Sequence, residues 1–142
     1  MESFDDILQK YQFREEPVSE YDKDIFMPFL IKITKIYRSS EKISLEDVKK
    51  ITNFLNMQRV FVIIRSPFFE EFVFCKRKDI KFFQGGGEIY FEYIGKNIFD
   101  TEYVKIPLCE IIFVGKSNFI VLWDHECYLT ICQFERVKAS KI

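Results

Sequence analysis

The side chains with most chemical capacity sit in one short run, Trp123-Asp124-His125-Glu126-Cys127, where a carboxylate, the only histidine, a second carboxylate and a thiol follow one another. In principle such groups could serve acid–base chemistry, thiol nucleophilicity or metal ligation. Their adjacency works against that. Neighbours on a strand point to opposite faces, and a tight turn would splay them towards water. A metal site needs three or four convergent ligands, and no second histidine exists to build one. A Cys–His pair would have to form across strands, with Cys75 or Cys109. The run is therefore expected to be a polar hairpin turn, with no metal, no cofactor and no catalytic residue. Trp123 beside it is expected in the core.

Two glycine motifs fail as phosphate cradles. Gly115-Lys116-Ser117 resembles the end of a P-loop, but Glu110 stands where the loop's first glycine belongs, and a strand-like segment follows where a helix must begin. Gly85-Gly86-Gly87 likewise lies between two strands and predicts a tight hairpin. Four cysteines (Cys75, Cys109, Cys127, Cys132) form no C-x-x-C pair. They are expected as reduced, buried thiols, which places the protein in a reducing cytoplasm. The 22 acidic residues offer many carboxylate pairs, and nothing singles one out.

Charge is more informative. The net charge of −1 conceals a segmental pattern: residues 1–24 carry −5, residues 25–84 carry +6, residues 85–135 carry −5 and the last seven +3. Carboxylates grouped on a surface steer a basic partner and raise its association rate. The expected partner-binding residues are Glu15, Glu16, Glu20, Asp22 and Asp24, on a polar connection with little helix or strand character, together with Glu88, Glu92, Asp124 and Glu126. The alternative is a phosphate-binding patch at Lys76, Arg77, Lys78 and Lys81, although lysines at a strand junction also guard a sheet edge. A pI near 5.9 argues against general nucleic-acid affinity. A small-molecule pocket among the aromatic residues is the third reading.

The elements that must hold these groups follow from periodicity. Ser3 is expected to cap a helix over Phe4–Tyr11. Asp24 is expected to cap a second helix, because Ile25, Phe29, Ile33 and Ile36 recur at helical spacing and Pro28 falls in the first turn. Ser44 should start a third, with Leu45, Val48, Ile51 and Leu55 as its buried stripe. After Gln58 the period changes to 2. Strands are expected at Arg59–Arg65, Glu71–Arg77, Ile80–Gln84, Glu88–Ile94, Glu102–Ile106, Glu110–Val114, Phe119–Trp123 and Cys127–Phe134. Connections too short for a crossover make neighbours antiparallel. The expected class is α+β, with N-terminal helices packed on one face of a predominantly antiparallel meander sheet.

A chain of 142 residues, 48% hydrophobic with seventeen Phe, fits one domain without disulfide or metal support. Its helical part should span about 1–57 and its sheet about 59–135. An acidic first segment and the lack of a long apolar run predict neither export nor a membrane span. A homodimer is compatible with the surplus of Phe. In size, composition, α+β layout and lack of catalytic motifs, the whole chain resembles the immunity proteins that bacteria co-express with polymorphic toxins, including those of contact-dependent growth inhibition. That resemblance implies a cytosolic, non-enzymatic domain that binds a cognate toxin and blocks its active site. The acidic residues would suit a basic nuclease toxin.

Overall fold

The computed structural model describes residues 3–65, 70–85, 88–93, 104–105 and 109–136. Along the chain run α1 (Phe4–Lys10), β1 (Phe13–Glu16), α2 (Glu20–Phe26), a 3-10 turn (Met27–Phe29), β2 (Ile31–Ser39) and α3 (Leu45–Phe54). Then follow β3 (Met57–Arg65), β4 (Glu70–Lys76), a second 3-10 turn (Arg77–Asp79), β5 (Ile80–Gly85), β6 (Glu88–Tyr93), β7 (Val104–Lys105), β8 (Cys109–Gly115), β9 (Phe119–Trp123) and β10 (Leu129–Arg136). A seven-stranded sheet has the order β1-β2-β10-β9-β8-β3-β4, and a three-stranded sheet has the order β5-β6-β7. Every pairing is antiparallel, so the class is α+β, helices packed on an antiparallel sheet.

Strict alternation gives the large sheet two buried faces. Val60, Val62, Ile64, Ile111, Phe113, Val121 and Trp123 face one core, shared with Ile7 of α1, the stripe of α3, and Ile80, Phe82 and Phe91 of the small sheet. Ile63, Ile112, Ile120, Leu122 and Cys132 face the other, covered by Ile25 and Phe26 of α2. The helices thus occupy both faces, α1 and α3 on one and α2 on the other, rather than the single face expected. Trp123 is fully buried, as the core reading required, and its Nε1 donates to the carbonyl of Cys127 at 3.1 Å.

The caps of α1 and α3 form as their serines predict: Ser3 Oγ accepts from Asp6 N and Ser44 Oγ from Asp47 N. The second helix does not. It starts at Ser19, whose hydroxyl and backbone form a capping box with Asp22, and it ends by Phe26. Pro28 sits in the 3-10 turn, Leu30 takes a left-handed conformation (φ 51°, ψ 52°), and the chain leaves as β2. Residues 31–37, expected as helix, are therefore strand. Their β-branched Ile and Thr suit a pleated surface, and pairing with β1 and β10 outweighs the helical spacing. The polar connection expected from Arg14 to Lys23, with little helix or strand character, likewise carries most of β1 and the start of α2.

The strands expected after Gln58 are present where described. The last starts at Leu129, because Cys127 has φ 70° in the preceding turn. Gly85 pairs with Glu88, as a tight hairpin demands. Gly86, Gly87, the Ser66-Pro67 link and most of Glu102–Ile106 lie outside the described residues. Among the described residues, no helix is long and apolar enough to cross a membrane.

Candidate functional site

Arg38 organises the α2 face. Asp22 caps its own helix, its Oδ2 accepting from Ser19 N at 3.1 Å and from Ser19 Oγ at 2.6 Å. Its Oδ1 accepts from Arg38 Nη2 at 2.8 Å. Arg38 Nη1 donates to Glu16 Oε2 at 2.8 Å and Nε to Thr130 Oγ1 at 3.2 Å. One guanidinium thus ties α2 to β1, β2 and β10, and two carboxylates neutralise it. Beside it Arg14, Tyr21, Asp124 and Tyr128 help to line a pocket of about 530 Å³.

At the neighbouring end of β8, Glu110 is 1% exposed and accepts from Tyr21 Oη at 2.8 Å. His125 Nδ1 stands 3.8 Å from the same Oε1, and its Nε2 stands 3.4 Å from Glu126 Oε1. Asp124 Oδ1 accepts from the backbone N–H of Glu126 (2.9 Å) and Tyr128 (3.0 Å), which closes the turn. Burial nevertheless pushes the Asp124 carboxyl above the ordinary carboxylate range, because desolvation of the charged form outweighs those two donors. The run around His125 is a polar turn, as expected. Among the described residues no group of three or more His, Cys, Asp or Glu side chains is placed to hold a metal ion.

The nine acidic residues singled out by sequence do not form one face. Glu16 and Asp124 line the pocket, Asp22 lies behind its Arg38, and Glu126 stands beside His125 in the turn. Asp22 is 0% exposed, so it cannot be a surface contact; it is a buried cap and ion-pair partner. Glu15 alternates onto the opposite side of β1, in register with Tyr37. Glu20 pairs with Lys23 at 3.2 Å in water, and Asp24 flanks an apolar hollow of about 620 Å³ beside Met27 and Leu30. Glu88 and Glu92 lie on β6 in the small sheet, Glu92 in register with Lys81.

Sequence reasoning missed Arg14, Tyr21, Arg38 and Glu110. Only Glu110 carried a signal, as an acid inside the apolar run Cys109–Val114.

The basic cluster is partly assembled. Lys76, Arg77 and Lys78 line a second hollow, of about 630 Å³, with Arg59 and the amides Asn53, Asn56 and Gln58. Lys81 leaves it for β5. No protein-family model, no curated protein and no solved structure matches the chain.

Proposed function

We propose that the chain is a protein-binding domain that docks a basic partner on its α2 face, as an immunity protein docks a toxin. One observation carries this reading. Tyr21 (48% exposed), Met27 (67%) and Leu30 (75%) belong to one ten-residue segment, Tyr21 lining the acidic pocket and the other two the apolar hollow. Large apolar side chains grouped in water favour a partner surface, and aromatic anchors ringed by polar groups are the usual hot-spot chemistry. Leu30 adds to this. A left-handed conformation is costly for leucine, and here the strain holds an apolar side chain outwards.

Charge favours a basic partner. Arg38 is matched by Glu16 and Asp22, Arg14 shares the pocket with Asp124, and Glu110 holds Tyr21 at its edge, so a lysine or arginine entering between Tyr21 and Tyr128 would be attracted. Along α2 itself Glu20 pairs with Lys23, and Asp24 shares its hollow with Lys23 and Lys32, so the acidic attraction is confined to the pocket. Cysteines that are buried or half-buried and in no disulfide support action in a reducing cytoplasm. Neutralisation would be steric, by occupying the toxin's substrate-binding surface, with no catalytic step from this chain.

Affinity capture with the wild-type chain and with M27D/L30D as baits tests the reading. The expected result is one stoichiometric basic protein retained by the first bait and lost from the second. Its expression alone should arrest growth, and co-expression of this chain should restore it. Equal retention by both baits would move the site elsewhere, and a harmless partner would end the immunity reading.

A further inference from the structure

At the far end of the sheet from the acidic pocket, the charge reverses. Arg59 and Lys76 are cross-strand neighbours, and they line the 630 Å³ hollow with Arg77 and Lys78. Among the described residues, no carboxylate lines it. Among the described residues, none of these four cations is in an ion pair. Arg77 forms a wall rather than a free charge. Its guanidinium lies 5.2 Å from the Phe82 ring centroid and 6.0 Å from that of Phe113. Its Nη1 donates to the Ile80 carbonyl at 3.4 Å, and burial lowers its pKa. Arg59, Lys76 and Lys78 are exposed and supply the field. Such a concavity of like charge is relieved by an anion with several negative groups.

Beside this hollow is an aromatic surface of the right form for bases. Phe72 and Phe74 are 54% and 51% exposed. They alternate with Lys76 along one side of β4, each about 6.7 Å from the next. Phe61 on β3 joins them, its ring 5.8 Å from Phe72 and stacked at 23°. Arg59 lies 5.8 Å over Phe74, so cation and ring are already assembled. Phe29 braces Phe61 edge-on at 5.5 Å. These half-exposed phenyl rings stand on the β3–β4 pair at the edge of the sheet.

We propose that this β3–β4 ledge binds single-stranded nucleic acid, with backbone phosphates on Arg59, Lys76 and Lys78 and bases stacked on Phe72 and Phe74. Unstacked bases and a tracked backbone are what such a combination recognises. A duplex keeps its bases stacked internally and would leave both rings unused. Its cations and its two exposed rings are distinct from Tyr21, Met27 and Leu30, although Phe29 of that segment braces Phe61, so the two proposals are tested by different variants.

The test is fluorescence anisotropy of the full chain with labelled 12-nucleotide oligo-dT and oligo-rU. Three phosphate contacts on a single strand predict a roughly 20-fold loss of affinity between 50 and 200 mM NaCl. Phe72→Ala with Phe74→Ala should weaken binding by about 30-fold or more and leave the salt dependence unchanged. Arg59→Gln with Lys76→Gln and Lys78→Gln should flatten that dependence. All substituted side chains are exposed, and circular dichroism checks each fold. M27D/L30D should bind oligonucleotide as wild type does.

No binding at 50 mM salt would overturn the proposal. So would equal affinity for a hairpin duplex, or for polyglutamate, which would mark an acidic-protein site. Binding of polyphosphate with equal strength and no loss in the Phe variants would make the hollow a phosphate site only and would also overturn it.

Discussion

Asp22→Ala separates a buried anchor from a surface acid. The substitution removes the acceptor of the α2 capping box, worth about 1 kcal/mol, and one carboxylate from Arg38. Breaking a fully buried pair costs about 3–5 kcal/mol. Here the Arg38 side chain is 31% exposed and keeps Glu16 and Thr130, so water and those partners offset most of that, leaving about 1–2 kcal/mol. The total is about 2–3 kcal/mol. With a urea m-value of about 2 kcal/mol per M, the midpoint should fall by about 1–1.5 M. Trp123, the only tryptophan and fully buried, reports unfolding by fluorescence. Asp22→Asn keeps an acceptor for Ser19 and should lose about half as much. Glu20→Gln, on the wet side of the same helix turn, should move within about 0.5 kcal/mol. Equal midpoints for the Asp22→Ala and Glu20→Gln chains would refute the anchor.

A Cβ on Gly115 would lie 2.5 Å from the Asn56 carbonyl oxygen, so Gly115→Ala should cost about 1–3 kcal/mol in urea unfolding; an unchanged midpoint would contradict that approach. Asp124 has a raised pKa, so folding favours its neutral form, and its contribution to stability declines as pH rises from its unfolded pKa through the folded value. Asp124→Asn keeps the acceptor and should gain stability relative to wild type between about pH 4 and 7; a relative loss over that range would reverse the sign. Burial pushes the thiols up, Cys75 to about 11, Cys109 to about 12, and Cys132 and Cys127 also upwards. Ellman's reagent at pH 8 should therefore label the native chain slowly, half-buried Cys127 first, and all four thiols in urea. Rapid native labelling of two or more would count against these burials.

Much of the fold is legible because its signals are local. Ser3 and Ser44 announce α1 and α3, and period-2 alternation announces the strands after Gln58. β2 is not legible this way. Ile25, Phe29, Ile33 and Ile36 fit a helical stripe, and what decides against it is Leu30 turning left-handed and a partner strand about a hundred residues away. The candidate site inherits that difficulty. Asp22 reads as one of several surface acids until Arg38 stands on a strand beneath it, so buried anchor and solvated neighbours share the same letters. The basic ledge was half legible: Lys76–Lys78 are contiguous, whereas Arg59 and the exposure of Phe72 and Phe74 depend on β4 ending the described sheet.

The pairing of β2 with β10 also sets an order of events during synthesis. Thr34 donates its hydroxyl to the carbonyl of Gln133, 99 positions later. At about 5–20 residues per second, a ribosome takes roughly 5–20 s to cover that interval. Until then α2, β1 and β2 have no sheet to lie on, and the pocket under Tyr21 does not exist. β3 and β4, which carry the aromatic ledge, are synthesised well before β10, so the strands behind the two surfaces become available at different times from one message.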